Sequence, residues 1–70
     1  FMNMNETIDF YTLDGKIYLI VKEINFNNHK YVYLTNEMDY HDLLLRRVEG
    51  NDLLPLSKDE ATAVLSILFS

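Results

Sequence analysis

The sequence predicts an α+β fold: an antiparallel β-meander of four to five strands with one C-terminal α-helix packed on one sheet face. Three observations carry that prediction. Apolar–polar alternation, the period of a strand, runs from Thr7 to Leu13 and recurs in short segments up to Glu49, with the apolar run Ile17 to Val21 between them. Turn-forming residues interrupt the alternation at short intervals, which suits hairpins between sequence neighbours. After Pro55 the period becomes helical, directly behind Ser57, a residue type that caps helix N-termini.

The elements follow in order. In the first strand, Thr7 to Leu13, Ile8, Phe10 and Thr12 oppose Asp9 and Tyr11. Asp14-Gly15 predicts a two-residue turn, because both central residues of a type I′ turn need positive φ. Lys16 to Ile24 forms the second strand, apolar on both sides over its first half, as in a central strand. The Asn-rich stretch Asn25 to His29 reads as a turn, and Lys30 to Thr35 as the third strand. Asn36 to His41 reads as a polar loop and Asp42 to Glu49 as the fourth strand. Gly50-Asn51-Asp52 turns the chain into Leu53 to Leu56. Pro55 lacks an N–H and confines that piece to an edge strand or an extended lead-in.

The helix opens on Ser57-Lys58-Asp59-Glu60, the pattern of a capping box. The Ser57 hydroxyl is expected to accept from the Glu60 amide, and the Glu60 side chain to reach back to the Ser57 amide. Leu56 is expected to pack on Ala61. Ala61, Val64, Leu65 and Leu68 form an apolar stripe that Phe69 widens and Ile67 leaves.

Seventy residues make a single small α+β domain, residues 1–70, with residues 1–6 expected to fray. The absence of cysteine removes disulfides and thiolate-bound zinc as staples, so packing or oligomerisation must stabilise so short a chain. A net charge of −5 argues against nucleic-acid and anionic-membrane partners, both of which call for clustered Lys and Arg. No apolar run in the sequence is long enough to span a bilayer, and no secretory leader is recognisable, so a cytoplasmic location is expected.

Motifs for chemistry are missing. Asp39, His41 and Asp42, with Glu37 nearby, are the one conceivable metal group, but their spacing matches no ligand motif and a solvated loop explains them better. Asp59 and Glu60 are explained by the helix start, and both glycines by turns. Arg46 and Arg47 must point to opposite faces of a strand, so one is expected at the surface and the other beside a carboxylate. We therefore expect no enzyme, no cofactor and no metal site.

One helix can cover only one sheet face. Sorting by parity puts Ile8, Phe10, Ile17, Leu19, Val21, Val32 and Leu34 on the helix side. The other side then carries Asp9, Tyr11, Tyr18, Ile20, Lys22, Tyr31, Tyr33 and Thr35. Tyrosine is enriched at protein interfaces, so Tyr11, Tyr18, Ile20, Tyr31 and Tyr33 are the candidate interface residues.

The run Lys30-Tyr31-Val32-Tyr33-Leu34, the acidic loop, Leu43 to Val48, and Leu53-Leu54-Pro55-Leu56-Ser57 before an acidic helix start together resemble the YrzB-like small proteins of Gram-positive bacteria. That family has a "YVL"-type strand, an acidic stretch, a "VLILRV"-like strand, an "L-x-P-I" lead-in and an acidic helix. The resemblance spans residues 13–69. This chain departs from it in a shorter loop and in a helix whose only acids are Asp59 and Glu60. The resemblance implies the same fold and a bacterial or phage origin, and brings no catalytic residues.

The expected function is a non-enzymatic protein-interaction domain, binding another protein or itself as a homodimer through the tyrosine-bearing face. Two alternatives stand beside it. One is an acidic inhibitor that occupies a basic site on another protein, which would need Glu37, Asp39, Asp42 and Glu49 on one flank. The other is a small metal-binding protein or metal-dependent enzyme at Asp39, His41 and Asp42.

Overall fold

The computed structural model describes residues 9–70, which form five strands and a helix: β1 (Phe10–Leu13), β2 (Lys16–Phe26), β3 (His29–Asn36), β4 (Asp39–Glu49), β5 (Asp52–Leu54) and α1 (Lys58–Leu68). The strands form one antiparallel sheet in the order β1-β2-β3-β4-β5, so the predicted meander with its C-terminal helix is the observed fold. The frayed N-terminus expected over residues 1–6, the strand start at Thr7 and the core place of Ile8 lie outside the described residues.

Turn chemistry sets the hairpins. Asp14 and Gly15 have φ of 52° and 75°, and Asn27 and Asn28 have 56° and 66°, the positive pair that a type I′ turn requires. The second pair shortens the expected Asn25–His29 turn to two residues and lengthens both strands around it. The expected loop Asn36–His41 is also mostly strand. Asn36 Oδ1 accepts from the Met38 N–H at 2.8 Å, an Asx turn that reverses the chain over Glu37 and Met38. A register shift follows: Asn36 pairs with Asp39 and Thr35 with Leu43, so β4 absorbs the surplus residues.

A second irregularity decides which side chains face the helix. Ile20 opposes Leu34 and Lys22 opposes Tyr33, so Val21 is an extra residue in β2, a β-bulge. Before it, Tyr18 and Ile20 share a face with Leu34 and Asn36. Beyond it, Ile24 pairs with Tyr31 and Phe26 with His29. Even-numbered residues of β2 thus change faces at Val21. The sorting by simple parity fails here, since a two-residue period holds only in an unbroken strand.

Two apolar clusters result. On the helix side, Tyr31, Val64 and Leu68 are buried among Ile24, Phe26, Tyr33, Leu45 and Leu56. On the other side, Tyr18, Val32 and Leu34 are buried, with Tyr11, Leu13, Ile20, Leu44, Val48 and Leu53 packed on them. Among the described residues, no helix covers this second cluster. Side chains of both edge strands, Leu13 from β1 and Leu53 from β5, reach it, so the sheet curls around it. Val32 and Leu34, expected beneath the helix, fill this curl instead, while Val21 is 55% exposed at the bulge.

Helix α1 is fixed at both ends. The Glu60 amide donates to Ser57 Oγ at 3.2 Å, as the sequence predicts. The Glu60 carboxylate does not complete the capping box; it turns to Tyr31 and Arg47 in the sheet. At the far end α1 has no basic residue in its last turn, and Lys22 supplies the cation, its Nζ donating to the Leu68 carbonyl at 3.1 Å. The bulge at Val21 is what places Lys22 on the helix side. Among the described residues, no helix is long and apolar enough to cross a membrane.

Candidate functional site

The polar side chains gather in two networks. The first lies beneath the start of α1. Tyr31 Oη donates to Glu60 Oε2 at 2.5 Å, and Arg47 Nη1 donates to the same oxygen at 2.9 Å. Glu49 Oε2 stands 2.9 Å from Arg47 Nε and 3.1 Å from His29 Nδ1. The contact to Nε is close in distance without hydrogen-bond alignment, so that buried nitrogen rests on charge attraction alone. The carboxylate beside Arg47 therefore comes from the helix and from its own strand, while Arg46 Nη1 donates to the Leu45 carbonyl.

Burial, then the bond to Glu60, pushes the Tyr31 phenol above its ordinary value, and the bonds from Tyr31 and Arg47 hold Glu60 below its own. The tyrosine becomes a poorer acid and the carboxylate a poorer base. Tyr31 is 2% exposed. The network is a clamp between helix and sheet, with its polar groups turned on one another.

The second network takes up Asp42. Tyr18 Oη donates to Asp42 Oδ2 at 2.6 Å, and Asn36 Nδ2 donates to it at 3.1 Å. Those two bonds hold Asp42 below the ordinary carboxylate value, and the bond to Asp42 raises Tyr18. The three residues considered for a metal are thereby separated in role. The Asp42 side chain is taken up by Tyr18 and Asn36, while those of Asp39 and His41, on the same strand, stay at the surface with 3.7 Å between Asp39 Oδ1 and His41 Nδ1. Among the described residues, no group of three His, Cys, Asp or Glu side chains is placed to hold a metal ion. The acidic flank is dispersed too: Glu49 lies at the far end of β4 from Asp39, engaged by Arg47 and His29.

The five candidate interface residues do not form one surface. Tyr31 and Tyr33 face the helix, whereas Tyr11, Tyr18 and Ile20 belong to the cluster on the opposite side. Tyr18 and Tyr31 are buried, with their hydroxyls committed to Asp42 and Glu60. Tyr33 packs edge-on against Phe69, ring centres 5.5 Å apart. The cause is the bulge at Val21, which parity counting cannot register.

An apolar surface does exist, on the helix side beyond the end of α1. Phe10 pairs with Leu19, Leu19 with Thr35, and Thr35 with Leu43. Directly paired residues share a face, so these four make a row across β1, β2, β3 and β4. Phe10 is 55% exposed and Leu43 46%, and Leu19 is half-buried. Phe69, which packs on Tyr33 two residues before Thr35 on the same face, lies near the row and is 67% exposed; Leu65, one turn earlier on α1, is 37% exposed. None of these six residues is ionisable. Sequence reasoning put Phe10 and Leu19 on the helix side correctly, but assumed that the helix would cover them. Helix length was the available signal: eleven residues span about 16 Å as a helix, while the eleven of β4 span about 36 Å as a strand.

Comparison of the chain with protein-family models, with curated proteins and with solved structures finds no match.

Proposed function

We propose that this chain is a non-enzymatic protein-interaction domain whose contact surface is the row Phe10–Leu19–Thr35–Leu43, which α1 leaves open, with Phe69 near it. One observation carries the reading: a neutral apolar surface is exposed on a chain whose polar clusters are consumed in holding the fold together. Phe10, Leu43, Leu65 and Phe69 together expose about 400 Å² of mostly apolar area, the size of the largest apolar patch on a typical monomer, which is often functional. The interface thus moves from the tyrosines to this row. The acidic-inhibitor and metal readings gain no support from the dispersed carboxylates. A cytoplasmic location and kinship with the YrzB-like proteins remain part of the proposal.

The test compares wild type with a Phe10→Lys/Leu43→Lys variant, both shown folded by their amide spectra. Each is sedimented alone and used as bait in lysate of the source cell, and any captured protein is purified and rebound. We expect an association, with itself or with the rebound partner, that weakens at least tenfold in the variant. Equal behaviour of the two proteins in both assays refutes the proposal.

A further inference from the structure

Arg46 belongs to neither polar network. Although the chain carries a net charge of −5, Arg46 has no ion-pair partner among the described residues, and its Nη1 donates to the Leu45 carbonyl at 2.9 Å. That carbonyl lies on the outer edge of β4. Glu49 and Asp52 close the two-residue turn Gly50-Asn51, so their N–H and C=O groups face each other. Alternation aims the main chain of Arg47 at β5 and that of Leu45 and Leu43 the same way, while Arg46 and Leu44 bond to β3. The turn at Asn27-Asn28 gives the same assignment from the other side, since its closing pair Phe26–His29 leaves Val32 and Leu34 facing β4. Strand β5 ends at Leu54, opposite Arg47, and Pro55 behind it has no N–H. Among the described residues, the main chain at Leu43 and Leu45 therefore has no strand beside it.

We infer that Arg46 guards this edge, its guanidinium closing the Leu45 carbonyl to the strand of a second copy. An open edge is a template for pairing with another chain. Two copies of one edge fit each other by construction, because a two-fold axis sets N–H against C=O along antiparallel strands. In such a pair the incoming residue opposite Leu45 exchanges both N–H···O bonds with it. With the Leu45 carbonyl taken by a charged donor, one of those bonds is lost and the incoming N–H is left without an acceptor. The opening is short enough for one guard. On one side of it β5 covers Arg47, and on the other Tyr40, His41 and Asp42 are surplus to the register and break the strand's regular edge. Arg46 is also well held for the task, since it pairs with fully buried Val32, on whose face its stem lies. The guard acts at the strand edge and does not depend on the apolar row.

Arg46→Met and Lys58→Met test the inference, each placed in a Phe10→Lys parent that disables the row, by sedimentation velocity up to millimolar protein and by amide hydrogen exchange. Both variants lose one positive charge, and Lys58, exposed at the start of α1, serves as the control. We expect Arg46→Met to associate at least tenfold more tightly than the parent, with the Leu43 and Leu45 amides gaining protection in the associated form. Lys58→Met should match the parent. Equal association of Arg46→Met and the parent overturns the inference, as does an equal gain in Lys58→Met or protection that appears away from Leu43 and Leu45. Exchange in the dilute, unaltered chain gives a reading that needs no variant: the Leu43 and Leu45 amides should exchange at least tenfold faster than those of Leu44 and Arg46. Exchange as slow at Leu43 and Leu45 as at their neighbours means that the edge is already covered, and overturns the inference.

Discussion

Replacing Val64 by alanine tests how the helix is held. Val64 is fully buried against Tyr31 and Leu68, and its neighbour Leu65 is 37% exposed, although the periodicity places both on one stripe. Val64→Ala removes two buried methyl groups, a transfer loss of about 1.6 kcal/mol. A residual cavity of roughly 40 Å³ adds about 1 kcal/mol. Alanine's higher helix propensity returns roughly 0.5 kcal/mol. The net cost is about 2 kcal/mol, or about 8–16 °C in Tm for a domain of this size. Leu65→Ala deletes a larger side chain from a half-wet site and gains little propensity, leucine being nearly as good a helix former as alanine, so it should cost under about 1 kcal/mol. Urea unfolding of dilute protein at 15 °C, which removes any contribution of self-association, reads both. If Leu65→Ala proves as costly as Val64→Ala, the helix is rotated relative to this description and the account of the uncovered patch fails with it.

Two further outcomes follow from the polar contacts. Asp42 and Glu60 lie below their ordinary values of 3.8 and 4.5, so the folded state holds these protons more weakly than the unfolded chain does. Their stabilisation is complete above those values and is lost as pH falls through the lower folded ones. The urea midpoint of wild type should therefore drop as pH falls below about 4.5, and an Asp42→Asn/Glu60→Gln variant should be less stable at pH 7 with a shallower acid slope; an unchanged slope would refute the assignment. Lys22→Met keeps the apolar stem and removes the charge at the helix end, which should cost about 0.3–1 kcal/mol in low salt and less in 1 M salt. A difference that does not respond to salt in paired urea titrations would mean that Lys22 acts through packing instead.

What could be read from the sequence was whatever is encoded locally. Ser57 announced the helix because a cap acts on an amide three residues away. Asp14-Gly15 announced a hairpin because the turn's backbone demand falls on those two residues. The faces of the sheet were not local. A bulge leaves no signature in an apolar valine, so Tyr31 and Tyr33 were sorted onto the wrong side. Glu60 misled for a related reason. The capping box competes with Tyr31 and half-buried Arg47 for one carboxylate, and the two sheet residues prevail. The Asp42 network was hidden because its partner, Tyr18, is twenty-four residues away. The exposed row was half legible: Phe10 and Leu19 were placed on the helix side, but Thr35 was sorted onto the other face and the reach of the helix was misjudged.

The bulge at Val21 gives this small chain an unusual kind of information. Elsewhere in the sheet a position matters through the side chain it carries. At Val21 what matters is that the position is there at all, since its side chain is largely in water. It works as a phase shift, letting one continuous strand lend Tyr18 and Ile20 to one core and Lys22, Ile24 and Phe26 to the other. Many side chains would serve there, but a gap would exchange inside for outside along half of β2. A scoring scheme that weighs identities would rank the site as neutral, whereas the architecture hangs on the count.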